Sequence, residues 1–343
     1  MFCPKCTSNV SDNAGAGVAT ASPKPWMRVA ACAVATIAAI AIALFSLSGC
    51  GGGGGDARSG SSASKSAGSS ASKDAEPSVE DLIKPTVNDY TWEELSKISE
   101  EIAKASDESA AIEIAKKHNL TTEDGKLDGT QTKTVQLTDG TTATVQIAGF
   151  LHDDKTGGGK AGITFIFKDA IAEHDMNPDR NPYGPGTFTG SNAGGWEGSA
   201  MRSWLSTEGI SMLPSDLTDK IVAVDKKTNN VGRTEDVSSV TKTSDKFWLF
   251  SPVETYGTVE ETYWADEIYN AQGAEYKLFK DCNVGLKHDY HFLVDGFDVP
   301  EGSWWLRSPD CGNGQDFRFV SSYGWDNLND AYNPYGVVPG FCI

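Results

Sequence analysis

Two short stretches carry metal-ligating side chains close enough in sequence to act together. His288-Asp289-Tyr290-His291 places two imidazoles three residues apart, a spacing that lets one helical turn offer both to a metal, although a zinc or transition-metal site needs further donors and none follows nearby. Asp326-Asn327-Leu328-Asn329-Asp330 is a run of oxygen donors of the hard kind calcium takes. It lacks EF-hand spacing, so a solvated turn competes with a calcium loop. Asp153-Asp154 reads as ordinary solvated charge. Trp304 and Trp305 are adjacent, so on a strand they face opposite sides, which lets one fill a core while the other stacks on a sugar or peptide. Core packing of both is the competing reading. With Arg307, Trp325, Asp326 and Asn327 they make up the expected ligand-binding set.

No catalytic set is assembled in the sequence. Ser199 and Ser203 lack the strand-to-helix elbow of an activated serine, and no glycine-rich phosphate loop follows a strand. The leading expectation is a membrane-tethered binding or adhesion module for a glycan or a cell-surface protein. The alternative is a cell-surface hydrolase or oxidase whose acid and base come from separate loops, for instance Asp316 with Arg307. A structural spacer in a surface assembly is the third reading. A deep pocket lined by two carboxylates or a shifted histidine would favour the enzyme, a shallow aromatic face the binding module, and a broad apolar patch on the first helices the spacer.

The elements that must position these residues lie downstream of residue 77, because the chain before it is too rich in Gly, Ala and Ser to bury a core. The 343 residues carry a net charge of −18. By simple charge counting the part from residue 78 on stands at about −20, a field that repels nucleic acid and anionic lipid. Seven cysteines fall into groups, of which Cys282, Cys311 and Cys342 are downstream. In an exported domain three cysteines allow one disulfide with one thiol left over, and Cys311 with Cys342 is a candidate pair.

Residues 29–47 contain no charge and, at about 1.5 Å per helical residue, are long enough to cross a hydrocarbon core of about 30 Å. Lys5, Lys24 and Arg28 precede the run, which places the N-terminus in the cytoplasm and the bulk of the chain outside the cell. Residues 51–77 are almost wholly Gly, Ser, Ala, Lys and Asp, a flexible tether with an r.m.s. reach of roughly 30 Å. The expected organisation is a cytoplasmic or n-region segment over 1–27, a membrane or signal segment over 28–49, a linker over 50–77, a helical lead-in over 78–125 and an extracellular domain over 126–343.

Within the domain, Thr91-Trp92-Glu93-Glu94 predicts a capping box. Leu95, Ile98 and Ile102 follow at helical spacing, and a second helix is expected over 107–117, with both apolar faces packed against the domain. Residues 132–137 and 142–147 alternate apolar with polar about Asp139-Gly140, a hairpin. A strand at 163–167 leads to a loop over 177–195 rich in Gly, Pro and Asn, then to a helix over 198–205 and a short one from Leu213-Pro214 through Lys220. Further strands are expected at 221–227, 246–251, 303–308, 317–322 and 336–343. The mixed order argues an α+β domain rather than βαβ repeats.

Several motifs carry resemblances. Cys3-Pro4-Lys5-Cys6 resembles the opening knuckle of bacterial zinc ribbons, but no second knuckle follows, so zinc at Cys3 and Cys6 would have to be shared between chains. Leu47-Ser48-Gly49-Cys50 looks like a lipobox, which implies cleavage before Cys50 and lipidation of its thiol; an uncleaved single span is the other anchor. Four ordered blocks follow: residues 194–205, residues 246–252, Trp304-Trp305-Leu306-Arg307-Ser308-Pro309, and the closing Gly336-Val337-Val338-Pro339-Gly340-Phe341-Cys342-Ile343. Together they resemble a family of uncharacterised domains in Gram-positive surface proteins over residues 130–343. That family in turn looks distantly like the C-type-lectin-like fold of variable receptor domains and formylglycine-generating enzymes, in which the first and last strands pair. The resemblance implies a mixed sheet with short helices, and 142–147 near 336–343. Val338 and Gly340 stand where the family pattern has Arg and Ala, which removes one arginine partner for a buried carboxylate and leaves Arg307. Cys311 and Cys342, far apart in sequence, do not resemble the reactive pair of a formylglycine-generating enzyme.

Overall fold

The computed structural model describes residues 78–178, 190–258, 266–282, 285–287, 290–292 and 302–343. The Cys3-Cys6 knuckle, the run 29–47, Cys50 and the tether lie outside the described residues, as do His288 and Asp289. Ser72–Ile343 is one compact unit. No helix among the described residues is long and apolar enough to cross a membrane.

The lead-in helices are α1, Trp92–Ile102, and α2, Glu108–Lys117. Thr91 and Glu94 close the expected capping box on α1, satisfying amide groups the first turn leaves without intrahelical partners. Leu95, Ile98 and Ile102 are buried, and so are Ala111 and Ala115 of α2. Both apolar stripes enter the same core as the downstream strands, so the helices belong to the domain.

Strands β1, Thr132–Gln136, and β2, Thr142–Phe150, form the expected hairpin, with Gly140 in the left-handed region at φ 89°. Strand β3, Ile163–Phe167, is buried at every position because it lies between β2 and the last strand of the chain. Trp92 packs edge-on against Phe165 at 5.5 Å, and Phe165 stacks on Phe341 at 5.3 Å. After β4, Ala172–His174, come α3, Ala200–Trp204, continued by one wider turn through Gly209, and α4, Ser215–Thr218. Strands β5, Val224–Asn229, and β6, Val240–Asp245, make a two-stranded ribbon. Helices α5, Pro252–Tyr256, α6, Asp266–Asn270, and α7, Lys277–Asp281, precede a small hairpin of β7, Gly285–Lys287, and β8, Tyr290–Phe292. The last strands are β9, Trp304–Pro309, β10, Asp316–Val320, β11, Asp326–Asp330, β12, Tyr335–Val337, and β13, Gly340–Cys342.

Two larger sheets result, one ordered β1-β2-β3-β13 and the other β11-β10-β9-β12-β4. All their pairings are antiparallel except β12 with β9. The α+β expectation holds at this level.

Several element readings need correction. The closing segment is two strands, not one: β12 joins the five-stranded sheet and β13 the four-stranded one. The change falls at Val338-Pro339, where proline has no N–H for a ladder. β13 pairs with β3 rather than with β2, so the first and last strands share a sheet without touching as neighbours. Residues 246–251 form no ladder. Trp248 exchanges hydrogen bonds with Gly340 of the first sheet while Phe250 O accepts from Arg307 N of the second, so the segment bridges the two. Its Phe247, Trp248, Leu249 and Phe250 are all buried. The stretch 326–330 is a strand paired with β10, not a loop or solvated turn. Tyr290–Phe292 is likewise a strand, so His291 is not on a helical turn.

Two glycines of the recognised blocks are fixed by close approach. A Cβ at Gly195, which lies at φ 52°, would sit 2.0 Å from Asn229 O, and one at Gly340 would sit 2.7 Å from the Phe250 ring. The second contact accounts for glycine in place of alanine in the closing strand.

Candidate functional site

Two concave regions stand out among the described residues. The first is a cleft of about 260 Å³ whose lining includes His152, Asp153, Asp225, Lys226, Glu254 and Gln272. A bulge in β2 near Ala148 and a left-handed φ of 52° at Leu151 carry the chain from strand to loop just ahead of Asp153, which is buried. Asp153 Oδ1 accepts from Lys226 Nζ of β5 at 2.8 Å, and Lys226 Nζ lies 2.7 Å from Glu254 Oε1. Glu254 in turn faces Arg307 of β9, which donates to both of its oxygens, through Nη2 at 2.9 Å and through Nη1. Four charged side chains from four segments thus form one chain of alternating sign with no net charge.

Most polar groups around it are also engaged, buried Trp248 Nε1 and Ser251 Oγ being exceptions. Tyr276 OH and Thr164 Oγ1 donate to Asp153 at 2.7 Å each, and the Cys342 thiol donates to Oδ2 at 3.4 Å. Arg307 donates to Thr228 Oγ1 and to the carbonyls of Leu249, Lys227 and Gln272. Glu254 also accepts from Ser251 N in the capping box of α5. Lys226 Nζ lies 4.9 Å from the Trp248 ring centre, a cation–π contact.

The electrostatics follow from this pairing. Burial by itself would raise the Asp153 carboxyl, but Lys226 overrides it and holds the group below the ordinary range. Burial is overcome in the same way at Glu254, by Arg307 and then Lys226. The Lys226 ammonium is raised against burial by Asp153 and Glu254. Both carboxylates are therefore favoured as anions, the opposite of a general acid, whose pKa must rise toward neutrality. His152 stacks on Tyr276 at 3.8 Å, and burial lowers its pKa. It is the one group lining this cleft with the shift of a neutral base, and both carboxylates beside it are committed to cations.

The second region is a groove of about 900 Å³ at the β4 edge of the five-stranded sheet, lined by His174, Asp175, Asn177, Trp204, Glu208 and neighbouring small residues. Trp305 Nε1 donates to His174 O at 2.9 Å, which ties this wall to the core. The half-buried Trp204 ring lies 4.9 Å from the His174 ring. The helical spacing of 198–205 predicts that Met201, Trp204 and Leu205 turn inward; Met201 and Leu205 are buried, but Trp204 is left partly exposed. Burial raises the Asp175 carboxyl even though His174 is beside it.

The expected ligand-binding residues are not brought together on one surface. Trp304 and Trp305 are both buried in the core, at 1 % and 0 % exposure, and Arg307 is locked in the ion chain. Trp196 and Trp248 are buried too, so the tryptophans of the recognised blocks are chiefly packing residues. Asp326 is paired with Arg318 at 2.8 Å, and burial pushes its carboxyl up to about 6. Trp325 is half-buried and Asn327 exposed; the Trp325 ring lies 5.8 Å from that of the exposed Tyr323 at the β10–β11 turn. Asp316 bonds Asn313, away from the Arg307 contacts, so the proposed acid and base pair does not form. No group of three or more His, Cys, Asp or Glu among the described residues is placed to hold a metal ion.

Sequence reading missed the ion chain. Asp153, taken as solvated, is buried, whereas its neighbour Asp154 is exposed and pairs with Lys160. The one legible signal was Ser251-Pro252-Val253-Glu254, a capping-box pattern that marks Glu254. Cys282, Cys311 and Cys342 are all free thiols. Cys311 lies in a small cluster with Ile268 and Tyr269 while Cys342 lies in the main core, which is why the expected pair does not form.

Fold and site thus define a mixed α+β domain with an internal ion chain and a separate polar groove. Residues 161–343 match the domain of unknown function DUF6273, and the chain belongs to that family. The match begins after β2, so two strands of the first sheet and both lead-in helices lie ahead of it. No curated protein and no solved structure matches the chain.

Proposed function

We propose that this chain is a membrane-tethered, outward-facing binding module, distantly C-type-lectin-like, whose groove at Trp204 takes a glycan. The carrying observation is the contrast in that groove between an indole left partly exposed on a short helix and the surrounding His174, Asp175, Asn177 and Glu208. A flat aromatic face ringed by hydrogen-bonding groups is what a sugar needs, because its ring presents C–H faces and a polar rim. The lectin-like reading is supported by the sharing of one sheet by strands from the start and the end of the domain. The tether reading rests on the uncharged run 29–47, Lys24 and Arg28 ahead of it, and the Gly/Ser stretch behind it.

The test is a glycan and cell-wall array probed with the full chain and with Trp204→Ala, each with and without calcium. Binding by the parent chain that falls at least about tenfold in the variant is expected. Absence of binding throughout, or binding indifferent to Trp204, would overturn the glycan reading. Mass spectrometry of the mature N-terminus decides the anchor, since an intact Met1 rules out cleavage before Cys50.

A further inference from the structure

We infer that the glycan taken by the groove carries a free amino group. This rests on the glycan reading above and adds the charge of the ligand.

Most neutral hydrogen-bonding side chains of the groove are already spent on the protein itself. Asn177 donates through Nδ2 to Ser191 O at 2.6 Å and accepts through Oδ1 from Ala200 N at 2.8 Å. Ser199 Oγ caps α3 by accepting from Arg202 N, and it donates to Trp196 O. Thr207 Oγ1 donates to Ser203 O at 2.8 Å. What remains facing the groove is the Trp204 indole, the His174 ring, the Ser203 hydroxyl and two carboxylates, Asp175 and Glu208.

Among the described residues, neither carboxylate is neutralised by a lysine or arginine and the lining contains neither residue type, Arg180 lying outside the described residues. Glu208 is exposed with no ion-pair partner among the described residues, and Asp175 has His174 alone. Arg202, which precedes Glu208 on the same helical segment, is turned to Asp245 of β6 at 2.7 Å and to Ser244 O. An ammonium meets both needs of such a site, because it supplies donors to free carboxylates and is attracted to the face of an indole. The net charge of −18 acts the same way at longer range and disfavours polyanionic wall polymers. A sugar is favoured over a lysine peptide because the part-exposed ring and the small residues around it offer a stacking face in a groove of about 900 Å³ rather than a narrow channel for an alkyl stem.

The experiment titrates the full chain, by tryptophan fluorescence and calorimetry, with a glucosamine tetramer, an N-acetylglucosamine tetramer and trilysine, at mildly acidic pH where the sugar amines are charged. Glu208→Gln and Asp175→Asn are run beside it, with thermal unfolding as the check that each is folded. The expected result is at least about tenfold preference for glucosamine over its N-acetylated counterpart, lost in Glu208→Gln and weakened by salt. Equal or tighter binding of the N-acetylated tetramer overturns the amino-group inference and leaves the glycan reading standing. Trilysine binding more tightly than either sugar overturns the sugar as ligand. If neither tetramer binds, the inference falls together with the glycan reading.

Discussion

The cleft floor and the groove are both built from charged and aromatic side chains, yet they do opposite things. Under the cleft, Asp153, Lys226, Glu254 and Arg307 are fully buried and fully paired, so a ligand would find no charge left to bind. In the groove, Glu208 is exposed and Asp175 part-buried, neither with a lysine or arginine among the described residues, beside an indole that the core only partly covers. Removing charges from water is costly, and only complete pairing offsets it, which turns a charge cluster into a structural joint. Carboxylates left at a wet surface keep their capacity for an outside partner. The strongest electrostatics of this molecule thus mark its scaffold rather than its binding surface.

The comparison breaks most severely if the floor is removed altogether. A chain limited to residues 161–343 lacks α1, α2, β1, β2 and Asp153, and it is expected to remain unfolded, with no cooperative melting transition by circular dichroism. Arg307→Met leaves Glu254 short of its main partner and should cost about 3–5 kcal/mol in urea unfolding of the full chain. The same substitution logic applied to the groove predicts little: Asp175→Asn should change stability by less than about 0.5 kcal/mol, or raise it slightly, because its carboxyl is already raised by burial. A large loss there would erase the distinction between the regions.

Titration sharpens the contrast by sign. Asp153 and Glu254 have folded-state values below the unfolded range, so the stability they lend is whole above about pH 4 and drains as pH falls below it. Asp175 and Asp326 are raised, so their contribution is greatest at low pH and is lost as pH rises through the folded values, about 6 for Asp326. Urea midpoints followed from pH 7 downward should therefore fall steeply in the parent chain and less steeply in Asp153→Asn. Gly340→Ala should cost about 1–3 kcal/mol by pressing on Phe250. A small effect, about 0–1 kcal/mol, is expected at Asp154→Asn, an exposed ion pair next door in sequence to buried Asp153.

Much of the scaffold was legible because it is written in local patterns. The capping box at Thr91, the Asp139-Gly140 turn and the alternation of 132–147 each depend on residues a few positions apart. Strand β11 was missed because Asp326-Asn327-Leu328-Asn329-Asp330 has the composition of a turn, and only pairing with β10 makes it a strand. Strand β6, Val-Thr-Lys-Thr-Ser-Asp, was missed for the same reason, since its partner β5 supplies the ladder. The adjacent tryptophans were read as facing opposite sides, which is sound for one sheet face against solvent. Here both sides of β9 are covered, and both rings are buried.

By itself the sequence determined the α+β class, the two lead-in helices, most strand positions and an uncharacterised domain family. These follow from periodicity, caps and turns, whose physics is local. Only the tertiary structure decided that Asp153 is buried while Asp154 is not, that Arg307 meets Glu254 rather than Asp316, and that Trp204 rather than Trp304 or Trp305 is left partly exposed. Those outcomes depend on which segments cover each face, and burial and pairing between residues more than fifty positions apart leave no trace in local spacing.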